Sequence, residues 1–131
     1  MSTPFSDEDV TDSILLSTKK LLGIDPSMDM FDLDVCMNIN SALSNLNQIG
    51  IGPSEGFFVN TADETWTEFL SHNDMTTLQN VKQYVYIWVK RVFDPPGATN
   101  HLAALDNTIK ELEWRISTGR EEVIRGDTEH V

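Results

Sequence analysis

Apolar residues recur along this chain in the three-and-four spacing of amphipathic helices, and glycine or proline interrupts the pattern between them. Residues 12–22, DSILLSTKKLL, combine good helix formers with Ile14, Leu15, Leu21 and Leu22, and Gly23 falls where a helix end takes a left-handed residue. Asp25-Pro26 breaks the chain before a second helix over 32–49, in which Val35, Ile39, Ala42, Leu43, Leu46 and Ile49 form a stripe. After GFFVN, a short extended piece, Thr61 to Glu64 has the spacing of a capping box for a brief helix with Trp66 and Phe69 three apart. Trp66 is expected to pack on the longer helices, the alternative being to stack on a ligand.

The longest helical signal covers 75–93. Leu78, Val81, Val85, Trp88 and Val92 make its stripe, and Tyr84, Ile87 and Phe93 widen it, so this helix is either central in the bundle or shared with a neighbouring subunit. Asp94-Pro95-Pro96-Gly97 stops it. A final helix over 100–117 carries Leu102, Leu105, Ile109, Leu112 and Ile116, the seam of a helix against one partner. Trp114 lies about 200° around from Leu112 and projects with Ala103, Asn107 and Lys110 away from that seam. An indole there is a loop anchor or a contact between subunits. The fold class is therefore all-α: a small bundle of about four main helices plus one short helix. Residues 1–11 form a flexible N-terminus, 12–117 the helical domain, and 118–131, without a sustained stripe, a flexible tail or one that orders on a partner.

The stretch QIGIGPSEGF places Gly50, Gly52 and Gly56 close together. A phosphate loop needs free backbone N–H groups between a strand and a helix N-terminus, whereas here a helix precedes, Pro53 removes a donor and no GK[ST] follows. Gly50, Gly52 and Pro53 read as structural turn residues, as do Pro95 and Pro96.

Charge changes the picture in one respect. The 131 residues include 21 acidic and 9 basic side chains, a net −12, which argues against wrapping or reading DNA. The acid is concentrated before Met75, where Lys19 and Lys20 are the basic residues. That asymmetry either keeps the surface solvated or orients the molecule in an assembly. Cys36 is the sole cysteine, so no disulfide closes within the chain, and it reads as a small buried hydrophobe. The start, MSTPFSDEDV, lacks the form of a secretory leader and no stretch is apolar enough to span a membrane, so a soluble, intracellular protein is expected.

Candidate chemistry is sparse. His72, His101 and His130 are scattered and form no zinc pattern. Asp25, Asp29, Asp32 and Asp34 lack the spacing and central glycine of a calcium loop, and capping the second helix accounts for Asp32. No catalytic group, cofactor or metal is expected.

Five segments in order, KKLLGID, ALSNLNQIGIGPSEGF, WTEFL, VKQYVYIWVKRVFDPP and IKELEWRI, resemble the head-tail connector, or adaptor, family of tailed bacteriophages over about residues 13–117. The resemblance implies a small helical protein that assembles as a ring, dodecameric by expectation, on the portal after DNA packaging. The ring would extend the DNA channel and dock the next head-completion, stopper or tail protein. DNA would pass without sequence-specific binding, and the protein would reside at the head-tail interface of the virion after assembly in the host cytoplasm. Interface candidates are Trp114, the outward side of the helix around Tyr84 and Ile87, Lys110, and the tail after Ser117 with Arg120. The rival from another class is a small acidic regulator or DNA mimic that occupies a basic site on an enzyme.

Overall fold

The computed structural model describes residues 11–70, 75–93 and 99–129, with residues 119–129 described as backbone. Among them lie five helices: α1 (Ile14–Leu21), α2 (Asp32–Gln48), α3 (Trp66–Phe69), α4 (Met75–Phe93) and α5 (Thr99–Glu129). The fold is all-α, and α4 is its centre, packed between α2 and α5 and touching α1. The central of the two positions considered for this helix is the one it occupies. Val81, Tyr84, Val85, Ile87 and Val89 of α4 are buried against Val35, Ile39, Ala42, Leu43 and Leu46 of α2 and Ile109, Leu112 and Ile116 of α5 within one core. Val92, expected in the α4 stripe, is exposed, and Val89 takes up an inward position instead.

Local chemistry sets the helix ends. Ser13 caps α1, its hydroxyl accepting from Leu16 N–H at 3.2 Å. The adjoining Ile14 N–H donates to Glu64 C=O at 3.1 Å, which ties the start of α1 to the segment before α3. At the other end Ile24 N–H reaches Lys19 C=O and Gly23 N–H reaches Lys20 C=O, the paired bonds of a Schellman cap with Gly23 at φ 82°. The end of α2 repeats this pattern: Ile51 N–H donates to Leu46 C=O, Gly50 N–H to Asn47 C=O, and Gly50 has φ 91°. Gly52 (φ 85°) then passes so close to the Phe69 ring that a Cβ there would overlap it. The glycine stretch thus turns the chain and admits an aromatic ring.

Three boundaries differ from expectation. The cap of α3 is Thr65 with Glu68, each side chain bonding the other's backbone, while Glu64 one turn earlier closes a separate loop by accepting from Asn60 and Thr61 N–H at 2.6 and 2.8 Å. Asp32 does not cap α2, whose N-cap is Phe31 without a side-chain bond; its carboxylate instead lies 2.7 Å from Lys19 Nζ. The backbone of α5 stays helical to Glu129 rather than ending near 117, consistent with the helix-forming Arg and Glu residues of that stretch. The turn expected at Pro95 and Pro96 and the N-terminal segment expected over 1–11 fall, except for residue 11, outside the described residues.

Lys19 is the least expected core residue. It is fully buried, while Leu21, assigned inward by pattern, is 55% exposed. The ammonium donates to Pro26 C=O at 3.0 Å and Met28 C=O at 2.6 Å and pairs by charge with Asp32, so two carbonyls of the α1–α2 connection and the first carboxylate of α2 surround it. A buried cation needs this degree of compensation.

Candidate assembly interface

The five interface candidates separate into three groups. Trp114 and Lys110 stand on the outer face of α5, four residues apart and both exposed, with 67% of the indole residue open to solvent. Beside them Arg115 and Glu111 form an exposed ion pair at 2.6 Å. Such an exposed pair contributes little to stability. The side chain of Arg120 lies outside the described residues.

Tyr84 and Ile87 do not form an outward patch; the structure corrects that expectation. Tyr84 is fully buried and Ile87 is 6% exposed, because α2 and α5 cover α4 on both flanks. The Tyr84 hydroxyl donates to Glu113 of α5 at 2.7 Å and accepts from Asn45 of α2 at 3.3 Å, and the ring stacks on Trp88. Burial, followed by the Glu113 carboxylate, pushes its ionisation well above the normal tyrosine range. Tyr84 is thus a bridge between the helices that flank α4.

A second apolar surface sits at the α1–α2 corner. Met28, Met30, Leu33 and Met37 are between 44% and 74% exposed, and Leu33 and Met37 share one face of α2, a turn apart. Asp25, Asp29 and Asp34 are exposed around them. Sequence reasoning missed this patch, although the signal was present: Leu33 and Met37 each stand about 200° from Val35, the same displacement that singled out Trp114 from Leu112.

The remaining chemistry is structural in placement. Cys36 is buried and free, and loss of hydration, then nearby Asp32, pushes its thiol up to about 11. Asp25 accepts from the N–H and hydroxyl of Ser27, which holds its carboxyl below the usual range. His101 is exposed, while His72 and His130 lie outside the described residues. Among the described residues no cluster of three or more His, Cys, Asp or Glu side chains could hold a metal ion, and no helix is long and apolar enough to cross a membrane.

The described residues thus present an aromatic and basic face on α5 and an apolar and acidic corner at the start of α2. No curated protein and no solved structure matches the chain. The family model described as phage connector protein matches residues 14–123, from the first residue of α1 into the far part of α5. The chain belongs to the phage connector protein family.

Proposed function

We propose that this connector assembles as a ring on the portal of a tailed phage once DNA is packaged, extends the channel, and docks the next head-completion or tail protein. The observation that carries this reading is the family match over residues 14–123, a span that includes both exposed apolar faces. The phage connector family is structural, and its members belong to the virion. A dodecamer is the ring size we favour, with assembly in the host cytoplasm before attachment to the head.

Two features support the finer reading. Trp114 and the corner of α2 hold large apolar groups exposed to water, as Leu21, Phe58 and Val92 also are, and a patch of such groups is the usual mark of a protein contact. The acidic bias of the N-terminal half would let DNA slide past a channel wall without adhering. The acidic-inhibitor alternative draws on charge alone.

The test is light scattering of the purified chain over a wide concentration range, with negative-stain images of the same samples and of mixtures with the portal of the same phage. Rings of about twelve subunits, alone or seeded by the portal, are expected from the closed symmetry of homo-oligomers. A chain that stays monomeric and ignores the portal would refute the proposal.

A further inference from the structure

We infer that the contact between neighbouring copies is head-to-tail. The apolar-acidic corner of α2 on one subunit, Leu33 and Met37 with Asp34, receives the Trp114 and Lys110 face of α5 from the next. This inference rests on the connector reading above and specifies the surfaces that reading leaves open.

Placement in the fold comes first. α2 and α5 lie on the two flanks of α4, with the Tyr84 hydroxyl bridging them on the inner side. The stripe of α2 that includes Leu33, Met37, Ser41 and Ser44 is exposed, as is the stripe of α5 that includes Asn107, Lys110 and Trp114. Each copy can therefore accept a neighbour on one flank while offering the other flank to the next, which is how a heterologous contact propagates until it closes. A single self-complementary patch would stop at a dimer.

Chemistry points the same way. The apolar residues of the α2 corner are interspersed in sequence with the exposed carboxylates Asp25, Asp29 and Asp34. The α5 face is an exposed indole with the exposed Lys110 four residues before it. Like would meet like if either patch paired with itself: carboxylates against carboxylates, or ammonium against ammonium. The crossed arrangement sets Lys110 against Asp34 and the indole against the thioether of Met37, a contact that aromatic rings and methionine sulfur favour. Tryptophan is also the residue type most often found to dominate such contacts.

Two measurements test the pairing. Asp34→Lys and Lys110→Glu should each weaken self-association about tenfold, and the double variant, which restores opposite charges, should return to within about threefold of the parent. In parallel, Met37→Cys and Trp114→Cys chains, built on Cys36→Ala, are oxidised separately and together. A disulfide-linked dimer in the mixture and little in either chain alone is the expected result. Both cysteine positions are exposed, so helicity should be unchanged, and circular dichroism checks it. Trp114→Cys dimers formed alone would mean a two-fold contact and overturn the inference. So would the absence of any cross-link, or a double variant no better than the single ones. None of these results touches the connector reading, which falls only if the parent chain neither self-associates nor binds the portal.

Discussion

After α1 the chain turns at Gly23 and after α2 at Gly50, each time through the same pair of cap hydrogen bonds, yet opposite chemistry anchors the loops that follow. In the first loop a lysine is the plug: Lys19 is buried and draws the carbonyls of Pro26 and Met28 inward. In the second the plug is aromatic: Phe69 fills the space over Gly52 and meets Phe57 edge-on at 5.4 Å, while Ile51 and Val59 are buried. Asn40 clasps Val59 by both of its backbone groups, and Asn47 donates to Pro53 C=O at 2.6 Å. An ammonium requires oxygen around it, so the first loop turns its backbone inward and leaves Met28 and Met30 outside. The exposure of Met28 and Met30 thus accompanies the way Lys19 is satisfied, whereas Leu33 and Met37 are exposed because they stand opposite Val35 on α2.

Breaking the polar plug should have the largest effect. Lys19→Ala leaves two carbonyls and the Asp32 carboxylate without their cation, and is expected to cost about 3–5 kcal/mol in urea or thermal unfolding, in the range for removing one partner of a buried ion pair. Lys19→Met keeps the alkyl chain and removes the charge, which sharpens the contrast. If the loop is held by charge, methionine will be nearly as damaging as alanine; a mild Lys19→Met would show that the side chain serves mainly as apolar filler and that the two loops differ less than their contacts suggest.

The aromatic plug comes next. Gly52→Ala must accept both a left-handed backbone and overlap with the Phe69 ring, and the two together should cost about 3 kcal/mol. Combining it with Phe69→Leu, which makes room at that point, should recover part of the loss, so that the double variant is more stable than the sum of the two single changes implies. Strict additivity would mean that the ring is not what Gly52 accommodates.

Much of this architecture was legible because helix periodicity and glycine caps are local signals. The bounds of α4 and the start of α2 follow from pattern alone, as do the turns at Gly23 and Gly50. Lys19 was not legible: two lysines at the end of a helix suit its dipole, and only tertiary context shows that Lys19, four residues after Leu15, continues the buried face. The α3 cap was ambiguous for a related reason. Thr61–Glu64 and Thr65–Glu68 have the same spacing, and burial of Trp66, whose indole N–H donates to Ser17 Oγ at 2.9 Å, fixes which one starts the helix. At the interface, exposure on a flanking helix could be read from angles, as with Trp114. Burial of Tyr84 and Ile87 could not, since it depends on α4 being covered from two sides.

The smallest predicted effect is the one that isolates what Phe69 contributes. Gly23 has nearly the same backbone conformation as Gly52, φ 82° against 85°, but a Cβ placed on it meets nothing within 4 Å. Gly23→Ala therefore bears only the left-handed strain, about 1–2 kcal/mol, less the few tenths to one that alanine regains by restricting the unfolded chain. A net loss of about 1 kcal/mol or less is expected in the same unfolding measurement, well below that of Gly52→Ala. Equal losses at the two glycines would mean that the Phe69 ring yields freely and that backbone strain alone sets both effects, leaving the second loop without the aromatic anchor assigned to it.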